Sequence, residues 1–384
     1  MGLVPAIENV MRRAHPERRH LAAVLLGLSK IYGALVRCRG RVYQAPWGAS
    51  SQRLACRVVS VGNMTLGGTG KTPMTIFVAQ LIHRAGCRTA VLSRGYKGAS
   101  ERRGGIVSDG HRLRMGPDEA GDEPYLMARQ LLPSGIPVLV GCDRVRSGTE
   151  AMERFQSEVI VLDDGFQHLR LQRDLDLVLL DAASPFGNGY LLPRGTLREP
   201  LEALGRADAC LLTRCPPSAV AAEAAAPSEA RLAKTARRRV RPVFPAAHRP
   251  FVAECLSAGR KVAHGGSQAR FDLRAPAYAF SGIARNPDFR ATLRAMGFSL
   301  RGWTAFGDHH FYSAADLKTI ATQARRCGAQ LLVTTEKDRV KIAPDWIGDM
   351  PLFVVGVRIE LGAYAGAFER FVCSHLGLRK GPRE

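Results

Sequence analysis

Residues 58–73 read Val-Val-Ser-Val-Gly-Asn-Met-Thr-Leu-Gly-Gly-Thr-Gly-Lys-Thr-Pro, and no other stretch restricts the fold of the chain as sharply. An apolar run that passes through Gly67, Gly68 and Gly70 into Lys71, Thr72 and Pro73 predicts a buried strand, a tight loop and a helix start. Glycines let the backbone turn and bring N–H groups close to phosphate oxygens. Lys71 adds a point charge, the Thr72 hydroxyl can hold Mg²⁺, and Pro73 suits a first helical turn. Thr65 stands where the pattern G-x-x-x-x-G-K-[ST] has its first glycine. The loop alone is therefore readable either as a phosphate cradle or as a glycine-rich connector, and a second element is needed.

Val159-Ile160-Val161-Leu162-Asp163-Asp164 supplies one. Four β-favouring apolar residues in a row read as a strand covered on both faces, the kind found in parallel sheets. Carboxylates at its carboxyl end emerge where open α/β sheets bind ligands, and can hold Mg²⁺ directly or through water. Taken alone, the same pair begins a solvated Asp-Asp-Gly turn. Further strands are expected at Thr89–Ser93, Pro137–Gly141, Leu175–Asp181 and Ala209–Thr213, with a helix over 73–85. Their helix-length spacing predicts an α/β fold, a P-loop NTPase-like, mainly parallel sheet with helices on both faces.

Between Pro216 and Pro250 the composition turns to alanine, proline and arginine, including Arg237-Arg238-Arg239, as in a helix and linker. Beyond it, strands at Ala277–Phe280, Gln330–Thr334 and Leu352–Val357 alternate with helices at Pro287–Met296 and Ala314–Cys327. The expected organisation is an N-terminal amphipathic helix in 1–45, a P-loop core in 46–235 and a linker in 236–274. A smaller α/β domain in 275–384 would close over a cleft.

Lys and Arg number 55 against 34 Asp and Glu, a net charge of +21. Such a field draws a protein to polyanions: nucleic acid, an anionic membrane surface or an acidic substrate. Residues 1–50 carry Arg12, Arg13, Arg18, Arg19, Lys30, Arg37, Arg39 and Arg41 against Glu8 and Glu17, a net of +6. Leu21, Val24, Leu25, Leu28, Ile31, Tyr32 and Leu35 recur there at steps of three and four, so a helix would show one apolar stripe beside basic flanks. That is the pattern of a helix lying at a bilayer interface, and equally of one packed on its own domain. Ser29 and Lys30 interrupt the apolar run that starts at Leu21, which falls short of the roughly 20 apolar residues that spanning takes. No small-residue cleavage site follows, and Ala6 stands where myristoylation wants Ser or Thr. The nine cysteines are scattered without metal-site spacing, as in a reduced cytosolic protein.

Phosphoryl transfer needs a positioned hydroxyl, a base for its proton and cations to spread charge. Gly121-Asp122-Glu123-Pro124 offers Asp122 as a base; the same residues also read as the acidic first turn of a helix. Gly307-Asp308-His309-His310 offers an imidazole to orient a carboxylate, with no third ligand at zinc spacing. Arg94, Arg144, Arg194 and Arg198 follow strand ends or turns, where guanidinium forks grip phosphate or carboxylate.

Together these segments resemble a known family. Val61-Gly62-Asn63 with Gly67–Pro73, Ser93-Arg94-Gly95-Tyr96, Gly121–Pro124, Asp163-Asp164-Gly165-Phe166-Gln167-His168, Leu192–Pro200, Gly307–His310 and Thr334-Thr335-Glu336-Lys337-Asp338 are similar, in order, to the tetraacyldisaccharide 4'-kinases, the lipid A 4'-kinases of Gram-negative bacteria. That family's loop also lacks the first glycine. The resemblance runs from about residue 20 to about 360. It implies transfer of the γ-phosphate of ATP, with Mg²⁺, to the 4'-hydroxyl of a tetraacylated glucosamine disaccharide 1-phosphate. The enzyme would act at the cytoplasmic face of the inner membrane, as a peripheral or monotopic protein.

The resemblance also implies roles for matching positions. Asp122 would be the base, assisted by His309 or its neighbour His310, with Lys71 at the transferred phosphate. Thr65, Gly67, Gly68, Thr69, Gly70, Lys71 and Thr72 would hold ATP. Arg94, Tyr96, Arg144, Gln167, Arg198 and Glu199 would line the cleft, and Thr72, Asp163, Asp164 and Glu199 would form the metal site. A lipid acceptor gives the basic amphipathic N-terminus and the positive charge one common reason, attraction to an anionic inner-membrane surface. No nucleic acid and no obligate protein partner are expected. A P-loop GTPase or metallochaperone would need N-K-x-D, where Glu336-Lys337-Asp338-Arg339 ends in arginine. A basic nucleic-acid-binding ATPase would rest on charge alone, since aromatic residues make up only 7% and are not interleaved with the basic ones.

Overall fold

The computed structural model describes residues 3–13, 17–44, 51–221, 242–257, 260–264, 273–342 and 350–378. Two sheets organise it. The first contains β1 (Arg57–Asn63), β2 (Thr89–Ser93), β3 (Gly105–Ser108), β4 (Val138–Val140), β5 (Val159–Asp163), β6 (Leu175–Asp181), β7 (Ala209–Thr213) and β8 (Val243–Pro245). Its order is β3-β4-β2-β5-β1-β6-β7-β8, and every pairing is parallel except β3 on β4. The chain leaves β1 toward β2 on one side and returns as β6 on the other. The carboxyl end of β1 is thus a topological switch point, where such sheets open a ligand crevice.

Period-two alternation divides the strand residues between two helical layers. Val59, Val61, Val91 and Val161 pack with the Lys71–Arg84 and Asp122–Leu131 helices. Val58, Ala90, Leu92, Ile160 and Leu162 pack with the Arg144–Phe155 helix on the opposite face.

The second sheet contains β9 (Ala247–Ser257), β10 (Arg260–His264), β11 (Pro276–Ser281), β12 (Ser299–Ala305), β13 (Leu331–Thr335) and β14 (Leu352–Glu360) in the order β10-β9-β14-β13-β11-β12. The Asn286–Ala295 helix covers Ala277, Ala279, Val333 and Val355, and the Ala314–Arg326 helix covers Tyr278, Phe280, Leu332 and Val354.

Three expectations on organisation need correction. Residues 236–274 are not a plain linker: β8 completes the first sheet and β9 and β10 form the edge of the second. The rest of the alanine- and arginine-rich stretch, 222–241, lies outside the described residues. The expected C-terminal domain also does not keep its own end. After β14 the Ala365–Leu376 helix returns to the first sheet, burying Phe368, Val372 and Leu376 in the core that holds Val59 and Leu177.

The N-terminus, finally, is two helices, Leu3–Arg12 and Arg19–Gln44. The second is long and apolar enough to cross a membrane by length and composition, where the interrupted run suggested otherwise, and little of it is buried. One of its faces is docked. Leu25 is buried, Ser29 Oγ donates to the Leu191 carbonyl (2.8 Å) and accepts from the Arg194 amide (2.9 Å), and the Tyr32 hydroxyl donates to the Arg198 carbonyl (2.8 Å). Val24, Leu28, Ile31, Leu35 and Val42 form a second row that stays exposed.

Candidate active site

The glycine-rich loop lies at the switch point, on the axis of the Lys71–Arg84 helix. Gly67 (φ 110°) and Gly70 (φ 87°) take left-handed backbone that a side chain would strain, and a Cβ on Gly70 would stand 2.5 Å from the buried His248 Nε2. Burial, reinforced by Arg214, pushes the His248 imidazole down to about 4. The loop is held from behind. Thr213 Oγ1 donates to the Thr69 carbonyl (2.8 Å), Arg214 Nη2 to Gly68 (2.7 Å), and Asn63 Nδ2 to the Thr65 carbonyl (2.7 Å) and Thr69 Oγ1 (3.0 Å). Helix-terminal N–H groups and the positive end of the helix dipole make such a turn an anion site.

Asp163 ends the neighbouring strand β5, buried, and accepts from Ser93 Oγ (3.0 Å) and Thr75 Oγ1 (3.3 Å). Burial pushes its carboxyl up, and Glu123 and Asp164 push in the same direction. Asp164, next along, takes left-handed backbone (φ 51°) and turns toward cations: Arg198 Nη1 at 2.8 and 2.9 Å and Lys71 Nζ at 3.8 Å. Burial opposes its ionisation, yet Lys71 and then Arg198 hold it below the usual carboxylate range.

Asp122 arrives from a third direction. The turn at Tyr96–Gly98 packs so closely on residues 119–121 that a Cβ on Gly98 would meet the Glu119 carbonyl at 2.6 Å. Gly121 (φ 88°) then starts the Asp122–Leu131 helix, so Asp122 is its first residue, with Gly121 in the cap position. Its side chain is almost buried, and Oδ2 lies 3.2 Å from Nδ1 of His309, which reaches across from the second sheet's lobe in a left-handed turn (φ 61°). Tyr96 stands edge-on to the same imidazole, ring centroids 6.2 Å apart.

His310 faces elsewhere. It stacks on Phe306 and meets Asp316 at 3.2 Å, inside a helix cap.

Other expected residues divide in the same way. Arg144 is buried beside Asp163 and Asp164, and burial lowers its guanidinium to about 10 against their pull. Gln167 spans from the Asn63 carbonyl (3.0 Å) to Arg198 (3.4 Å). Arg94, in contrast, is exposed and paired with Glu101 at 2.6 Å. Both oxygens of Glu199 accept from Arg206 (2.8 and 3.1 Å). Arg194 binds the Val10 and Arg13 carbonyls and so anchors the N-terminal helices.

Two residues entered without an expected role. Glu123, the neighbour of Asp122, pairs with Lys337 at 3.0 Å and lies in the fields of Lys71 and His309. Lys337 comes from the Thr334–Asp338 segment, a motif of the family resemblance to which no role was attached. It also lies 3.7 Å from Asp308. The arrangement gathers a basic phosphate loop, a metal-competent acid pair and a carboxylate–imidazole pair into one cleft between two lobes.

Comparison with known proteins gives a consistent picture. A family model described as tetraacyldisaccharide-1-P 4'-kinase matches residues 21–376. The tetraacyldisaccharide 4'-kinase of Syntrophus aciditrophicus is 46% identical over 296 residues, covering 77% of each chain. That of Desulfatibacillum aliphaticivorans is 38% identical over 378 residues, covering 96% of this chain and 97% of the relative. Among solved structures, the "apo" form LpxK from Aquifex aeolicus in complex with ATP aligns with a TM-score of 0.68 at 28% identity, covering 93% of this chain and 99% of that one.

Proposed function

This chain belongs to the tetraacyldisaccharide 4'-kinase family, ATP-dependent kinases of lipid A biosynthesis, and we propose that Asp122 is the base that takes the proton of the acceptor 4'-hydroxyl. The observation that carries this assignment is the 3.2 Å contact of Asp122 Oδ2 with His309 Nδ1. A nearly buried carboxylate at a cleft mouth, oriented by an imidazole from the facing lobe, is what general-base catalysis needs. With its proton on Nδ1, His309 donates a hydrogen bond to Asp122 Oδ2 and keeps that proton, which leaves Oδ1 to meet the hydroxyl. As the 4'-oxygen forms its bond to the γ-phosphorus, its proton passes to Asp122. The bond from phosphorus to the bridging oxygen breaks, and its electron pair leaves with ADP. Lys71, at the foot of the loop, exchanges Asp164 for phosphate oxygen and spreads the developing charge.

Mg²⁺ fits the donor set. Thr72, Asp163 and Asp164 offer hard oxygen donors, and no group of three or more acidic or imidazole ligands exists among the described residues. That suits an ion held by one or two carboxylates plus substrate phosphates and water. When bound, it neutralises charge on the β- and γ-phosphates. Arg198 holds Asp164 at 2.8 Å and Arg144 stands in the field of both acids, while Tyr96, beside His309, and Gln167, beside Arg198, would meet the sugar.

The exposed row Val24, Leu28, Ile31, Leu35 and Val42 supports peripheral or monotopic attachment to the cytoplasmic face of the inner membrane, with the Arg19–Gln44 helix lying on the lipid. Through Tyr32 that helix touches the backbone of Arg198, so the lipid surface and the cleft share one support. Liposome sedimentation tests the attachment. Deleting residues 1–36 abolishes co-sedimentation if the reading holds, and unchanged sedimentation overturns it.

For the chemistry, the protein is given γ-labelled ATP, Mg²⁺ and the tetraacyl disaccharide 1-phosphate. Label enters the lipid with the wild type and not with Asp122→Ala. Equal labelling by that variant removes Asp122 from the role of base.

A further inference from the structure

Lys337 is the second lobe's most firmly placed cation near the cleft. Its short helix, Glu336–Arg339, follows β13 and is locked at its start: Thr335 Oγ1 accepts from the Asp338 amide (3.0 Å) and donates to Asp338 Oδ2 (2.7 Å). The same carboxylate accepts from the Gly282 amide (3.1 Å) and pairs with the fully buried Lys341 at 2.9 Å. From this fixed turn the Lys337 ammonium reaches the first lobe, 3.0 Å from Glu123 and within the field of Asp122, while Asp308 of its own lobe lies 3.7 Å away.

Glu123 has a second ammonium in its field, Lys71 of the phosphate loop. Two lysines, one from each lobe, thus flank a single carboxylate next to the base. Lys71, the lysine of the phosphate loop, likewise lies near a carboxylate, 3.8 Å from Asp164. A stem of four methylenes lets an ammonium move between neighbouring oxyanions at little cost.

We propose that Lys337 is a catalytic residue of the phosphoryl transfer, a cation supplied by the second lobe that leaves Glu123 and binds an equatorial oxygen of the γ-phosphoryl group as it moves from ADP to the acceptor. The idea rests on the kinase reading above. It adds a second positive group facing Lys71 across the reacting phosphorus, in the manner of cations supplied in trans to other phosphoryl-transfer sites. Lys337 takes no proton and makes no covalent bond: the acceptor proton still passes to Asp122 and the electron pair still leaves with ADP. Because Lys337 sits on the same lobe as His309, seating that lobe delivers the orienting imidazole and the cation together.

The test measures label transfer to lipid by Lys337→Ala, Lys337→Met and Lys337→Arg. It also measures binding of MgATP and of ADP with Mg²⁺, aluminium fluoride and lipid acceptor, a mimic of the transferring group. Both neutral variants are expected to lose about 10²–10³-fold in kcat, the scale for removing one charged stabiliser. Affinity for the fluoride complex falls by a similar factor, MgATP affinity changes less than about threefold, and Lys337→Arg recovers part of the loss. A residue that only strapped the lobes together would weaken MgATP and the fluoride complex equally and would not be rescued by arginine. That outcome overturns the proposal, as does kcat within about twofold of wild type in either folded neutral variant. Lys337→Met keeps the buried stem and serves if the alanine variant does not fold. Asp122→Ala runs alongside: an inactive Asp122 variant with fully active Lys337 variants defeats only this inference, whereas an inactive wild type defeats the kinase reading itself.

Discussion

The two lobes use the same construction, a mainly parallel sheet with helices on both faces, yet contribute to the cleft in different ways. The first lobe offers groups from four successive strand ends of one sheet: the phosphate loop after β1, Tyr96 after β2, Arg144 after β4, and Asp163 and Asp164 at β5. Among these, Lys71 lies 3.8 Å from Asp164, and Arg144 stands in the field of both acids. The second lobe offers three side chains, Asp308, His309 and Lys337, and each meets a carboxylate of the first lobe or its own neighbour there. On the proposed reading, binding and chemistry are separable: one lobe would hold the donor, and the other would finish the surroundings of the proposed base.

The strongest way to break that division is Asp122→Asn, which keeps shape and removes the proposed base. Turnover is expected to fall by about 10³-fold or more with little change in ATP affinity, measured by label transfer and nucleotide titration. A comparable loss of ATP binding would show that the halves are not separable. Phe368→Ala comes next. If the Ala365–Leu376 helix is part of the first lobe, the truncation costs about 3–5 kcal/mol in denaturant unfolding, because the ring is fully buried against Phe77 and Phe244. His309→Ala, on the second lobe, is expected to lower kcat about 10–100-fold and leave ATP affinity alone. His310→Ala, whose ring caps Asp316, stays within a few-fold of wild type.

A smaller effect concerns the seam between the lobes. Glu336 accepts from Gln130 Nε2 at 2.9 Å on both oxygens, and burial, with Glu254 adding to it, pushes its carboxyl up to about 7. The folded state thus keeps a proton that the unfolded chain releases near its ordinary value of 4.5. This favourable contribution is full below that value and disappears as pH rises through about 7, leaving a burial cost of about 3 kcal/mol at alkaline pH. Glu336→Gln is expected to flatten that part of the stability–pH curve between about pH 5 and 8, read from denaturation midpoints. The smallest change is Tyr32→Phe, expected to cost about 1 kcal/mol by removing the hydrogen bond to the Arg198 carbonyl.

Sequence reading reached the first lobe more fully than the second, for a physical reason. β1, β2, β5, β6 and β7 are covered on both faces, so they stand out as mainly apolar runs, and the phosphate loop and acid pair follow from them. β9 begins Ala-His-Arg-Pro and carries Glu254 toward Arg129 of the other lobe, a mixture that looks like linker. β12 is a half-buried edge, Ser-Leu-Arg-Gly-Trp-Thr-Ala, and passed unnoticed. The pairing of Asp122 with His309 was anticipated by family resemblance, while the choice of His309 over His310 needed the Phe306 stack to become visible. Lys337 was hidden because its partner lies 214 positions away on the opposing lobe. The partner of Glu199 was equally hidden: Arg206, seven positions on, donates to both its oxygens, which the motif alone does not announce.

The return of the Ala365–Leu376 helix to the first sheet has a consequence for how the polypeptide is made. A ribosome finishes β1 to β8 early, but the surface on which Phe368, Val372 and Leu376 belong stays uncovered while the whole second lobe is synthesised. The outgoing and returning strands are paired at their ends, Ala247 beside Glu360 and His248 beside Ile359, so the inserted lobe hangs from one narrow neck. Its folding therefore brings the final helix back to the waiting apolar face, and a nascent chain stalled before residue 365 exposes a greasy flank for chaperones to hold.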